Sequence, residues 1–225
     1  GNEPDVISQD NVSPVCFAFL YHEAYTELKR ADPTASVAPG GITQASPLRL
    51  AYLDNTLAEY RRLYNAKLPA DFWTMHAFAL PEQRWQWGVG IPPGLADSAG
   101  WLLTVSDHDD LGLFRSQILE FRRWMAAHGY RDRPLVITEY GILMPGKYGF
   151  DTGRVRRFML ATFEFLMTAR DPELGLPSDD NRLVQRWAWF SLADPIYPTG
   201  NLIVPEAERL TQLGMAYREF VAAVR

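Results

Sequence analysis

Almost no cysteine, no long apolar run and no surplus of positive charge: each lack removes a class of function. Cys16 is the only cysteine in 225 residues, so neither an intrachain disulfide nor a thiolate zinc cluster can be built. Set in an apolar helical pattern, it is expected to pack as a small buried thiol. No stretch approaches the roughly 18 apolar residues that span a bilayer, so membrane insertion is not expected. The formal net charge is −5, and the Lys and Arg residues form no stripe. Nucleic acid and anionic surfaces are therefore not expected partners.

The 47 % of hydrophobic residues suffices for the core of one domain. Ser13 and Pro14 open a helix in which Phe17, Leu20, Tyr21, Ala24 and Leu28 recur at helical spacing. Ser46 and Pro47 open a second, with Leu50, Leu53, Leu57, Tyr60 and Tyr64 on one face. Asp109 or Asp110 caps a third, with Leu111, Phe114, Ile118, Phe121 and Met125 as its core face and Gly129 at its end. Asp151 or Thr152 starts a fourth through Val155, Phe158, Thr162 and Leu166. Leu210, Leu213, Tyr217, Phe220 and Val224 mark a fifth. Between them "ASVAPGG", "DFWTMHAFAL", "PLVITEYG" and "LVQRWAWFSL" read as strands. A helix followed by strand–helix repeats predicts a parallel sheet covered by helices, either doubly wound or closed into a barrel. Residues 79–108 carry no such pattern and are too long for an ordinary connection, which makes them a candidate functional loop.

In parallel α/β folds the ligand site lies beyond the C-terminal ends of the strands. Those ends are Pro39 and Gly40, His76, Glu139 and Trp189. Glu3 joins them if "GNEPD" is the tail of a preceding strand. Alternation puts Leu135, Ile137 and Glu139 on one face, His76 with Phe72 and Thr74, and Trp187 with Trp189. A carboxylate ending so apolar a strand is partly desolvated, and must be paired, hydrogen-bonded or protonated. Two carboxyls facing one another across a cleft have their pKa values pushed apart. One stays ionised and one keeps a proton, the division of labour that glycosidic cleavage needs.

"GNEPD" and "VITEYG", with "WTMHAF" and "RWAWFSL", resemble the C-terminal part of a clan A glycoside hydrolase. That superfamily consists of retaining glycosidases on a (β/α)8 TIM barrel. The resemblance implies that the chain runs from the end of strand 4 through helix 8 as one portion of a catalytic domain. Strands 1–3 and most of strand 4 would then lie upstream and be needed for closure, since such a barrel takes roughly 250 residues. By the same resemblance Glu3 is the acid/base, Glu139 the nucleophile, and Asn2 a contact to the sugar hydroxyl beside the reacting carbon. His76 would line the site, and Trp189 would stack on the sugar at the cleavage point.

Trp85, Trp87 and Trp101 in the long loop suit a cleft wall, because indole faces cover the C–H face of a pyranose. Trp85, Trp87 and Tyr140, next to Glu139, complete the expected sugar-binding set. His108 is expected at a solvated helix start. The expected function is retaining hydrolysis of O-glycosidic bonds in a β-linked oligo- or polysaccharide, with no metal or cofactor. The alternatives are a non-catalytic carbohydrate-binding barrel and a transglycosylase using the same covalent intermediate. Glycan-degrading enzymes are often exported, but nothing in these residues assigns a compartment.

Overall fold

The structure, a computed structural model, describes residues 1–224. Helices α1 (Pro14–Ala31) and α2 (Pro47–Tyr64) precede strand β1 (Trp73–His76). Helix α3 (Leu111–Ala127), strand β2 (Leu135–Gly141), helix α4 (Thr152–Thr168) and strand β3 (Arg186–Phe190) follow. A two-stranded hairpin, β4 (Ile203–Val204) with β5 (Arg209–Leu210), leads into helix α5 (Gln212–Ala223).

Helix starts follow local chemistry. Side chains of Ser46, Asp110, Asp151 and Thr211 accept from the N–H groups of Arg49, Leu113, Arg154 and Gly214, each such cap being worth about 1 kcal/mol. Leu210, read as part of the last helix, pairs instead with Ile203, because Thr211 caps the helix after it. The segment 35–41 forms no strand. Pro39 lacks an amide donor there and Gly40–Gly41 lacks side chains to pack. Only Ile42 bridges to Met75, in parallel.

Strands β1, β2 and β3 pair in that order, all parallel. The described residues form an arc of mixed α/β structure and not a closed barrel. One face of the arc packs on α3 and α4. Trp73 meets Phe121 and Trp124, Tyr140 meets Phe114, and Trp189 meets Phe158 and Phe163. Met75, Leu135 and Ile137 are fully buried on the same side, each contributing roughly 1.5–3 kcal/mol. On the other face Thr138, Arg186 and Ala188 are exposed.

Pairing is not uniform along β2. Met75 faces Ile137 but His76 faces Glu139, and Ile137 and Tyr140 face Trp187 and Trp189. Thr138–Glu139 therefore contains one extra residue, a β-bulge that reverses side-chain parity beyond it. Alternation alone groups Glu139 with the buried Leu135 and Ile137; the bulge instead sends Tyr140 into the core and leaves Glu139 on the open side.

Helix α1 departs from expectation along its first turns. Residues 14–21 are apolar all round, and only Pro14, Phe17, Ala18 and Tyr21 are buried. Val15, Phe19, Leu20 and Leu28 are exposed, as is Cys16, which was expected inside. Among the described residues no helix is long and apolar enough to cross a membrane.

Candidate functional site

The C-terminal ends of β1 and β2 and the turn at residues 2–5 converge on one imidazole. His76 Nδ1 lies 2.9 Å from Glu3 Oε1, and its Nε2 lies 3.8 Å from Glu139 Oε1. One ligand-type atom from each of the three residues falls within 4.8 Å of the other two. These atoms are also the only set of this kind among the described residues that could hold a metal ion. The contact between His76 Nδ1 and Glu3 is already a hydrogen bond in length.

Each group is held by local structure. The His76 amide donates to Ile42 O at 2.7 Å, and the Glu139 carbonyl accepts from Ala77 at 3.0 Å. Gly41 makes room for the ring: a Cβ there would lie 3.0 Å from His76 Cδ2 and 3.2 Å from Thr138 Oγ1. Glu3 adopts φ 47°, a left-handed conformation uncommon for a residue with a side chain. Its carbonyl accepts from Val6 at 3.0 Å. Glu3 is only 7 % exposed, whereas the Glu139 side chain is 32 % exposed. Burial pushes the Glu139 carboxyl above its ordinary value; the His76 ring pulls it down and Glu3 pushes it up.

The two carboxyls open into a cleft of about 570 Å³, within the range of ligand sites. Asn2, Phe78, Trp87, Phe190 and Tyr197 line it. Asn2 is exposed at its edge, its amide donating to Asp10 Oδ2 at 2.7 Å. Trp87 is 45 % exposed over the cleft.

The structure brings Asn2, Glu3, His76, Trp87 and Glu139 together and places three other expected residues elsewhere. Trp189 is buried on the helix side, its Nε1 donating to Gly200 O at 2.8 Å. Its neighbour Phe190, pointing the opposite way, is the strand-end aromatic at the cleft. Tyr140 is fully buried behind the bulge, within 3.4 Å of Thr162 Oγ1, and burial pushes its phenol well above the ordinary value. Trp85 is 97 % exposed and lies outside the cleft lining. His108 is buried rather than solvated. Its Nδ1 lies 2.9 Å from Ala79 O and its Nε2 accepts from Leu143 N–H at 2.9 Å, so the neutral ring bolts the long loop to the segment after β2. Burial lowers the pKa of this ring.

No protein-family model matches the chain, and no curated protein matches it. Solved structures do. A GH128 (subgroup II) endo-beta-1,3-glucanase from Pseudomonas viridiflava superposes with TM-score 0.58 at 18 % identity, over 96 % of this chain and 66 % of that one. A second subgroup II endo-beta-1,3-glucanase, from Sorangium cellulosum, gives 0.60 at 16 % identity over the same shares. A subgroup VI exo-beta-1,3-glucanase from Aureobasidium namibiae gives 0.53 at 12 % identity, over 95 % and 63 %. At such identities the likeness is one of fold. The chain spans a little under two thirds of these neighbours.

A buried ionic group behind the cleft was not anticipated. Arg49, Asp5 and Glu82 have fully buried side chains. Arg49 Nη1 lies 2.6 Å from Asp5 Oδ2, and its Nε lies 2.9 Å from Glu82 Oε1. The only signal in the sequence is that Arg49 precedes Leu53 by one helical turn, on the buried stripe of α2.

Proposed function

We propose that the chain is the later part of a retaining glycoside hydrolase barrel of clan A type, acting on a β-linked glucan, with Glu139 as nucleophile and Glu3 as acid/base. The observation that carries the reading is the convergence of both carboxyls on His76, with oxygens within 4.8 Å of each other. That closeness favours the arrangement of retaining enzymes, whose carboxyls lie roughly 5–5.5 Å apart, over the ~6.5–9.5 Å that leaves room for an attacking water. The fold neighbours act on β-1,3-glucans, which makes that linkage the first to test.

In the first step the ionised Glu139 attacks the anomeric carbon while Glu3 gives its proton to the leaving oxygen. In the second, Glu3 takes a proton from water as that water displaces Glu139, restoring the starting configuration. His76 serves both steps. Its Nδ1, 2.9 Å from Glu3 Oε1, holds the acid/base carboxyl in place, and its Nε2 lies 3.8 Å from Glu139 Oε1, so the ring spaces the two carboxyls. Asn2, Trp87, Phe190 and Tyr197 supply polar and apolar contacts for the sugar, and no metal or cofactor enters the reaction. Further strands of the barrel would cover the exposed Val15, Phe19 and Leu20 of α1 and the open edge of the sheet.

The test is proton NMR of the first products released from a β-1,3-gluco-oligosaccharide. The β-anomer should appear first and then mutarotate. Initial α-anomer would mean inversion, and binding without cleavage would favour a carbohydrate-binding protein.

A further inference from the structure

Glu3 and Trp87 face the same cleft from segments far apart in the chain, and a single buried guanidinium holds the backbone beside both. Asp5 follows Glu3 by two residues. Arg49 Nη1 donates to its carbonyl at 2.8 Å and to Oδ2 at 2.6 Å, and the Thr43 amide donates to the same oxygen at 3.2 Å. The other side of the fork reaches the long loop. Nη2 donates to Val89 O at 3.2 Å and to Gly90 O at 3.1 Å. Nε pairs with Glu82, whose carboxylate also accepts from Ser46 Oγ at 2.6 Å and from the Trp101 amide at 2.9 Å. The planar fork of Arg can hold several acceptors in fixed directions, which a Lys ammonium cannot do.

We infer that Arg49 is a positioning residue that couples the turn carrying Glu3 to the loop carrying Trp87, so that the proton donor and the wall of the sugar cleft are set as one unit. The role rests on the catalytic reading of Glu3, but the coupling itself does not. Glu3 sits at φ 47°, a conformation that persists only where its surroundings over-determine it. The clamp on Asp5 provides that constraint. One guanidinium links two fully buried carboxylates, so altering either removes a fixed hydrogen-bond partner from a buried polar cluster. A disturbance at the loop end should therefore reach the turn.

Amide hydrogen exchange on the full chain tests the coupling without any need for turnover. Glu82→Gln, a change in the loop, should speed exchange at Val6 and Val12, which bond to Glu3 O and Pro4 O in the turn, by about tenfold or more. Asp5→Asn should do the same at Val89 and Gly100 in the loop. Effects confined to the altered segment would overturn the coupling, as would an equal rise at core amides of α3 and α4. The positioning role is then read from Arg49→Lys on two substrates, a β-1,3-gluco-oligosaccharide and an activated dinitrophenyl β-glucoside. A loss in kcat/KM on the oligosaccharide about tenfold greater than on the activated substrate is expected, because only the former needs a well-placed Glu3. Equal losses would reduce Arg49 to a structural residue. If the unaltered protein cleaves neither substrate, the hydrolase reading fails while the exchange result still decides the coupling.

Discussion

On the helix side of the β1–β2–β3 sheet, Trp73, Tyr140 and Trp189 are buried among the aromatic residues of α3 and α4. On the opposite side Glu139 and Phe190 face a cleft, with Trp87 and Tyr197 brought in from loops. Both sides are rich in aromatics, but they use them differently. Trp73 and Trp189 fill the core, and the cleft is lined by phenylalanine at a strand end and by residues on connections. The division turns on the extra residue in β2, which separates the fate of Glu139 from that of Tyr140 beside it.

The largest effect should come from the cleft side. Glu139→Gln should lower kcat on the order of 10⁴-fold or more while sugar binding persists; retained turnover in kinetic assays would place the nucleophile elsewhere. Glu3→Ala should cost about 10²–10⁴-fold on unactivated glycosides and far less on activated aryl glycosides in the first step, with rescue by azide. A uniform loss across leaving groups would remove the acid/base role.

The helix side should answer in stability instead. Trp189→Ala should cost about 3–5 kcal/mol in denaturant unfolding, with unchanged sugar affinity in the folded fraction, and weaker sugar binding alone would return Trp189 to the cleft.

A pH profile sharpens the contrast further. Because burial raises the Glu139 pKa, and the nucleophile must be ionised, kcat/KM should fall on the acid side while pH is still above the ordinary glutamate value of 4.5. His76 is the group that lowers the Glu139 pKa, so His76→Phe should move this limb to higher pH; an unmoved limb would detach His76 from Glu139.

The smallest effect should be that of Trp87→Ala, a several-fold rise in KM with stability within about 0.5 kcal/mol of the parent, read from saturation kinetics and thermal unfolding.

Much of this arrangement is legible in the chain before folding. Period marks all five helices and cap residues mark the starts of the first four, and "PLVITEYG" marks β2 to within a residue. The strand-end rule brings His76 and Glu139 to one place because it depends on direction, not on which face a residue occupies, and Glu3 joins them only through the reading of "GNEPD" as the tail of a preceding strand. Face assignments are what fail. Alternation cannot register a bulge, so Tyr140 reads as a neighbour of the cleft and Glu139 as a companion of Ile137. Trp189 reads as a platform because indole suits both a sugar and a core, and only packing on α4 separates the two. Arg49 escapes notice because a lone Arg on an amphipathic helix looks solvated until its partners, Asp5 and Glu82, are brought to it from distant segments. The hairpin β4–β5 is too short to show a period of its own.

The central claim, that Glu139 forms a covalent bond to the sugar with Glu3 as its proton donor, has a direct test. The protein would be incubated with a 2-deoxy-2-fluoro β-glucosyl donor bearing an activated leaving group, then digested and examined by peptide mass spectrometry. One fluoroglycosyl adduct on the peptide bearing Glu139 is the result expected. An adduct on another carboxylate, or steady hydrolysis of the donor with no adduct and inverted product, would contradict the account.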